Sequence, residues 1–511
     1  MHHIQSLLPV KEATRTSLLS KSWLHAWSTI PTLRFFILKK QNGKSMKLVD
    51  VDRTLIRYLH FNIPIQKFEL LMDIENLESA SHAEKWIRPV ATKTCLRELS
   101  LSILIYGAPF TLPDEILSGE NLTKIRVSSP LIHSVWMPMP TTPVINCVSL
   151  RELHFDGVRI SEEALHDILS SCRLLVKIVL SHSCEGFKTI KVKNLPCLYK
   201  LRICVGDGYR CSTALEISDV PNLGVFSCNL HFPFKAHSIS LVSSVTQLTL
   251  GGRVITDNAC LHMIESGFPS LESLTLDDMS AWMLKSFHFA CASIKRLTLQ
   301  LCPCTLIEVQ VHASKLLFFC FDGGALPDLL FPVSTLMHIT VSLRVDLPVD
   351  AYLFLKMREA LALSLKCDVR ITTFNSERPM DIDMDDLRTQ LLSPPATNVR
   401  ELWFETSEDE CMWERSPFLD AFFEICHPKH VFAQPDLQFR HKNHFLRLIL
   451  REVLDKKKTI TTAGTPYWSH YLKHVQIREA PDQIWKTLIN SWRSFLDDPA
   501  PGLMHFKLVW R

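Results

Sequence analysis

Apolar residues recur along this chain in a short phrase of the form leucine-x-x-leucine-x-leucine. Leu150-Arg-Glu-Leu153-His-Phe155 is one copy. Val245-Thr-Gln-Leu248-Thr-Leu250, Leu271-Glu-Ser-Leu274-Thr-Leu276 and Ile294-Lys-Arg-Leu297-Thr-Leu299 are others. The last two apolar positions of each phrase are two apart, so in a strand they share one face and the residues beside them point the other way. Segments between phrases carry a different period. Ser161-Glu-Glu-Ala164-Leu165-His-Asp-Ile168-Leu169 begins with a capping serine and acidic residues, which suits a helix N-terminus. Asp257-Asn-Ala259-Cys260-Leu261-His-Met263-Ile264 repeats that plan.

The leading apolar position of successive phrases falls at Leu96, Leu122, Leu150, Leu175, Leu198, Leu223, Val245, Leu271, Ile294, Leu316 and Leu336, with steps of 20 to 28 residues. That is the period of leucine-rich repeats, each a strand plus an outer segment that cannot bury its apolar face alone. Leu33 and Ile65 extend the series towards the N-terminus. The fold class expected is α/β: a repeat solenoid, horseshoe-shaped, with a parallel concave sheet and right-handed crossovers. Repeats with short proline-containing connections, such as Asn194-Leu-Pro-Cys197, predict an irregular outer side. Leu112-Pro-Asp-Glu-Ile-Leu117 reads as a loop and helix of one repeat.

After Leu336 the regular period breaks until Val399-Arg-Glu-Leu402-Trp-Phe404. Residues 346–396 are therefore expected to be an irregular or helical insertion, with Ala351 to Leu365 helical, an acidic solvated stretch at Met380–Asp386 and a boundary at Ser393-Pro-Pro395. Residues 397–511 are expected to hold further repeats and a cap. Leu472-Lys-His-Val475-Gln-Ile477 and Leu503-Met-His-Phe506-Lys-Leu508 repeat the phrase, and Ile484, Trp485, Leu488, Ile489, Trp492 and Phe495 between them recur at helical spacing.

Composition sets bounds on this picture. The 511 residues are 47% hydrophobic and 21% charged, a globular balance with room for a large core. Net charge is only +3, and no basic block gives a nucleic-acid footprint. No apolar run is long enough for a membrane helix, and the first residues lack a secretory signal pattern. The 16 cysteines are then expected to be reduced, and Cys172, Cys204, Cys228, Cys291 and Cys320 fall where a small apolar residue fits. With 15 glycines and no phosphate-loop, dinucleotide or nucleophile-elbow motif, the chain reads as a binding scaffold, not an enzyme, with no cofactor. Cys302-Pro-Cys304 lacks the usual zinc spacing, and His427 and His430 near Cys426 read as loop polarity. Lys456-Lys-Lys458 reads as a solvated helix end.

The first forty residues are different. Ser20 caps a helix predicted over Lys21 to about Ser28, with Trp23 and Trp27 on one face and Pro31 beyond its end. The run from His3 to Trp27, above all Leu8-Pro-Val-Lys-Glu-Ala13 and Leu18-Leu-Ser-Lys-Ser-Trp23, resembles the F-box of plant F-box/leucine-rich-repeat proteins, and Ile30-Pro-Thr-Leu-Arg-Phe35 resembles the usual exit into the first repeat strand. The resemblance implies a partial all-α F-box over 1–32 that lacks the family's opening Leu-Pro-x-x-Ile-Leu segment, followed by the repeat solenoid over 33–345. It implies docking to a Skp-type adaptor and, through it, to a cullin. The repeats would hold a target protein for ubiquitination inside the cell, in nucleus or cytoplasm. The C-terminal region resembles the FBD region of such proteins, which would cover the last repeat.

Adaptor-facing or F-box core residues are expected at Leu7, Leu8, Pro9, Leu19 and Trp23. Target-facing residues on the concave side are expected at Glu152, His154, Asp156, Gln247, Thr249, Ser273, Thr275, Asp277, Arg296, Thr298 and Gln300. This mixed polar set suits a protein better than a nucleic acid or a membrane. Two other readings share the pattern: a repeat scaffold without a ligase connection, and a receptor for a small molecule, which would need a basic cluster that the linear sequence does not display.

Overall fold

The computed structural model describes residues 4, 15–38, 48–93, 95–107, 109–129, 135–136, 145, 147–182, 187–204, 214–230, 238–239, 243–252, 258–279, 285–303, 305–345, 350–373, 382–391, 393–406, 417–433, 449–451, 453–455, 467–478, 485–487 and 505–511. The chain divides into two units, Met1–Leu248 and Thr249–Arg511. Both have the α/β repeat fold that the period predicts.

In the first unit, helix α1 (Lys21–Ser28) starts where Ser20 Oγ accepts from the Trp23 N–H at 3.2 Å. Strand β1 (Thr32–Ile37), helix α2 (Leu48–His60), β2 (Lys67–Ile74), α3 (Leu77–Ala91) and β3 (Glu98–Ile105) follow. A 3-10 turn, Asp114–Leu117, lies where the Leu112–Leu117 phrase predicted a loop and helix. Then come β4 (Lys124–Ser128), β5 (Glu152–Asp156), α4 (Glu162–Ser171), β6 (Lys177–Ser181), β7 (Lys200–Cys204) and β8 (Val225–Leu230). The eight strands pair in chain order, all parallel.

Their register explains the phrase. Leu33, Phe68, Leu99, Ile125, Leu153, Ile178, Leu201 and Phe226 are in line across the sheet. Phe35, Leu70, Leu101, Val127, Phe155, Leu180, Ile203 and Cys228 form the next line, and both lines are buried. Each large side chain so buried is worth about 1.5–3 kcal/mol. The leading leucine of each phrase closes a turn instead. The N–H groups of Leu122, Leu150, Leu175, Leu198 and Leu223 donate to the carbonyl three residues earlier at 3.0–3.2 Å.

Helices cover the buried lines in some repeats and strands in others. Ala83, Trp86, Ile87 and Val90 of α3 are buried, and Trp86 Nε1 donates to Asp52 Oδ1 at 2.8 Å, tying α3 to α2. In α4 the Ala164 N–H is capped by Ser161 Oγ, as its sequence predicts. Where the connections contain proline, an irregular outer side was expected; instead Thr189–Lys193, Ala214–Ser218 and Ser238–Ile239 form a small parallel sheet. Short alternations such as Ile190 and Val192, or Leu215 and Ile217, suffice to bury a second sheet once the repeats align them.

The second unit contains α5 (Asn258–Gly267), β9 (Ser273–Asp277), β10 (Arg296–Cys302), β11 (Phe318–Gly323), β12 (Leu336–Val345), α6 (Ala351–Ala362), β13 (Ser364–Thr373), α7 (Met384–Gln390), β14 (Val399–Thr406), α8 (Phe418–Ile425) and β15 (His430–Ala433). From β9 to β15 the strands pair in order and parallel. Ser286–Ala290, Glu308–His312 and Asp328–Leu330 again form a small parallel outer sheet.

Two expectations are corrected here. The stretch 346–396 is not an irregular or purely helical insertion: β13 continues the sheet between β12 and β14. Its leading position has moved into the end of α6 as buried Leu361, while Leu365 is exposed, so the phrase is disguised. Asn398 Nδ2 replaces the usual turn by donating to the carbonyls of Leu361 and Ser364 at 2.8 and 2.7 Å. The C-terminal phrases are not further parallel repeats either. Strand β16 (Leu472–Arg478) pairs antiparallel with β17 (His505–Trp510), and β17 pairs antiparallel with β15. A two-residue alternation fixes which face is buried, not which way the strand runs.

Behind β15 and β17 lies an aromatic block. His427 is buried with its ring stacked on Trp510 at 4.1 Å, and Phe423 meets Trp468 at 4.9 Å. Trp468 Nε1 donates to Asp420 and Trp510 Nε1 to the Pro428 carbonyl. Burial without a partner for Nε2 pushes the His427 pKa down to about 4. The unfolded chain takes up that proton near pH 6.5 and the folded one only near 4. Stability is therefore complete above 6.5 and falls by about 2–3 kcal/mol as pH drops towards 4. Denaturant unfolding of the full chain between pH 7 and 4 should show this slope, and His427→Phe should flatten it; an unchanged slope would show that His427 titrates normally.

A second expectation follows from Gly157, which has φ +63° and carries no Cβ where one would lie 2.2 Å from the Ser129 carbonyl oxygen. Ser129 and Gly157 hold the chain at that point, their N–H groups bonding the carbonyls of Asp156 and Ser181 at 2.7 and 2.8 Å. Gly157→Ala should lower the unfolding free energy by about 1–3 kcal/mol in a denaturant titration. An unchanged midpoint would show that the backbone there relaxes freely.

Candidate recognition faces

The face of each sheet opposite the buried lines carries the polar residues of the phrases. In the first unit it is built as rows. Lys67, Glu98, Lys124, Glu152, Lys177 and Lys200 stand side by side on β2 to β7. Arg34, Glu69, Ser100, Arg126, His154, Val179 and Arg202 form the neighbouring row on β1 to β7. Neighbouring strands are about 4.8 Å apart, so opposite charges in a row meet directly. Arg34 bonds Glu69 at 2.7 Å, Lys67 bonds Glu69 and Glu98 at 2.9 and 3.2 Å, and Lys124 bonds Glu152 at 3.1 Å.

The three positions expected on β5 therefore share one face. Glu152 is held by Lys124. Asp156 accepts from Ser128 Oγ at 3.2 Å and lies 3.3 Å from His182 Nδ1. Half-buried His154 lies between Arg126 and Val179, with its Nδ1 buried and without a hydrogen-bond partner. Burial, reinforced by Arg126, Lys177 and Arg202, lowers its pKa against the opposing pull of Asp156. Gln247 is exposed at the end of this unit.

In the second unit Thr249 is half-buried. Ser273 and Thr275 are in register with Arg296 and Thr298, and Arg296 lies over the Phe318 ring at 4.6 Å. Asp277 and Gln300 are half-buried, Gln300 beside a register irregularity between Leu299 and Cys302. The same sheet carries groups that the sequence reading did not select. Asp368 on β13 binds His338 at 2.8 Å and Arg400 at 3.1 Å, and Arg400 also reaches Glu401 at 3.2 Å. Trp403 stacks on Phe432 at 4.3 Å with 10° between the rings, and Arg370 stands 5.9 Å from the Trp403 ring centre. Half-buried Trp403 and Phe432 with exposed Arg370 beside them have the composition of binding hot spots. Asp368 and Arg370 escaped notice because β13 lay inside the expected insertion; the signal was the alternation Cys367, Val369, Ile371, which puts them outward.

At the N-terminal helix, Leu7, Leu8 and Pro9 lie outside the described residues. Leu19 is 69% exposed and its neighbour Leu18 86%, while Leu24 is also exposed and Trp23 half-buried. Three leucines within seven residues are thus exposed, apolar surface that a partner could cover.

Several thiols are poor nucleophiles. Burial raises Cys147 to about 12, and Cys172, Cys320 and Cys367 each to about 11. A thiol so raised is almost wholly protonated at neutral pH. Cys302 packs against the Met279 sulfur at 3.9 Å, Cys304 lies outside the described residues, and His427 and Cys426 are buried. No group of three or more metal-binding side chains occurs among the described residues. No described helix is long and apolar enough to cross a membrane.

Comparisons with known proteins agree with the repeat reading and with the resemblance to plant F-box/leucine-rich-repeat proteins. Residues 83–229 match the family described as the leucine-rich repeats of FBD-associated F-box protein At5g56370. Among individual proteins of Arabidopsis thaliana, F-box/LRR-repeat protein At3g59200 is 29% identical over 235 residues, 43% of this chain and 42% of the relative. F-box/LRR-repeat protein At5g02910 is 25% identical over 313 residues, 55% of this chain and 64% of the relative. F-box/LRR-repeat protein At2g42720 is 28% identical over 185 residues, 35% of this chain and 41% of the relative. The chain thus spans less than two thirds of the length of the curated relatives it matches. It is similar to plant F-box/leucine-rich-repeat proteins, including FBD-associated ones.

Proposed function

We propose that this chain is a target-recognition subunit of a ubiquitin ligase of the Skp–cullin–F-box type. The residues around α1 dock on a Skp-type adaptor, and the polar sheet faces hold the protein to be modified. The chain supplies no reacting group. It raises the effective concentration of a target lysine near a ubiquitin-loaded enzyme held by the cullin. Such a role belongs inside the cell, in nucleus or cytoplasm. The observation that carries this reading is the exposure of Leu18, Leu19 and Leu24 within a stretch that resembles an F-box, followed directly by the repeat sheet.

The test is retention of the full chain on immobilised, purified plant Skp adaptor. The chain is expected to be retained. Leu18→Ser with Leu19→Ser should weaken retention by about tenfold or more, because these side chains are exposed and their loss removes contact without disturbing the core. Trp23→Ala, which is half-buried, should weaken it as well. No retention of the unaltered chain, with folding verified by circular dichroism, would favour a repeat scaffold that has no ligase connection.

A further inference from the structure

On the first unit's open face, charges are neutralised in pairs over most of the rows. Arg34, Lys67 and Lys124 each hold a glutamate, and Asp156 is engaged by Ser128 and His182. Across β4 to β7 the pattern changes. Arg126, Lys177, Lys200 and Arg202 make no ion pair with a carboxylate among the described residues. Arg126, Lys177 and Arg202 act on His154, Lys200 stands beside Lys177, and buried Val179 forms an apolar floor between His154 and Arg202. Glu152, the carboxylate in register with Lys177, is already paired with Lys124, so the four cations on this face keep excess positive charge, and like charges repel. The same sheet neutralises such charges elsewhere, so the deviation is local.

We infer that the face of β4 to β7 is a docking site for a short acidic peptide segment of a partner protein, with Arg126, Lys177, Lys200 and Arg202 receiving its carboxylates. The inference deepens the proposed recognition role by naming the chemistry of the partner, and it rests on that role. Charge complementarity commits the occupant. Arg126 and Arg202 stand three strand steps apart, about 14 Å, which an extended peptide spans with carboxylates about four residues apart. The arginines offer forked donors to those carboxylates, while the lysines add charge beside them. A long polyanion fits less well. Glu69, Glu98 and Glu152 extend along the same face and would repel a nucleic-acid backbone, which needs an unbroken basic track.

Fluorescence anisotropy of the full chain tests this with a short labelled peptide carrying glutamates about four residues apart around a central valine. Controls are the same peptide with glutamine in place of glutamate and a labelled single-stranded oligonucleotide. Saturable binding of the glutamate peptide alone is expected. It should weaken by about tenfold or more in Arg126→Gln with Arg202→Gln, and should be unchanged in Arg34→Gln, which lies on the same face outside the cluster. Should the double variant fail to fold by circular dichroism, Lys200→Glu, which reverses one half-buried charge of the cluster, decides in the same way. Absence of saturable binding, equal loss in Arg34→Gln, or tighter binding of the oligonucleotide would overturn the inference. Adaptor retention measured on the same preparations separates the two readings: peptide binding without adaptor retention overturns only the ligase role, and adaptor retention without peptide binding overturns only this site.

Discussion

One hydrogen-bond arrangement recurs at the start of most of the parallel repeat strands, and the rest of the structure depends on it. A single carbonyl of the preceding repeat accepts from two consecutive N–H groups of the next. Pro31 accepts from Gln66 and Lys67, Gln66 from Arg97 and Glu98, Arg97 from Thr123 and Lys124, and Thr123 from Arg151 and Glu152. The second unit uses the same device, with Glu272 accepting from Lys295 and Arg296 and Lys295 from Leu317 and Phe318. A one-residue slip at any of these points would turn every leucine of that strand towards water. The clamp and the leading leucine of the phrase together exclude that slip.

With register fixed, each strand performs two separate tasks. Its inward residues fill the apolar lines and supply most of the stability, because each is removed from water completely. Its outward residues carry little of that burden, since exposed ion pairs contribute only about 0–1 kcal/mol each. Outward positions can therefore vary in charge and size without endangering the fold. The paired rows of the first unit and the Trp403–Phe432 and His338–Asp368–Arg400 groups of the second are two outcomes of that freedom. The Arg126–Arg202 cluster is a third, in which the freedom leaves charge unpaired.

Legibility in the sequence follows the same division. The α/β repeat fold and the inward residues could be read from the phrase, because burial imposes a fixed apolar pattern on every copy. The Ser20 and Ser161 caps were legible because a cap is local chemistry. Strand β13 was not, because its leading leucine had merged into helix α6 and Asn398 closed the turn from a distant position. The antiparallel direction of β16 and β17 was hidden for a different reason: alternation is the same read either way. At the recognition face, Glu152, His154 and Asp156 were identifiable as outward. Their charged surroundings were not, since Arg126 and Arg202 are 76 residues apart in the chain and are brought onto one face only through register.

The most direct measurement compares neighbouring inward and outward residues on the same strands by denaturant unfolding of the full chain. Ile125→Ala on β4 and Leu201→Ala on β7 face the core, whereas Arg126→Ala and Arg202→Ala face water. The inward pair should each cost about 2–5 kcal/mol and the outward pair should stay within about 0.5 kcal/mol of the unaltered chain. Comparable losses for all four would contradict the separation of stability from recognition on which this account rests.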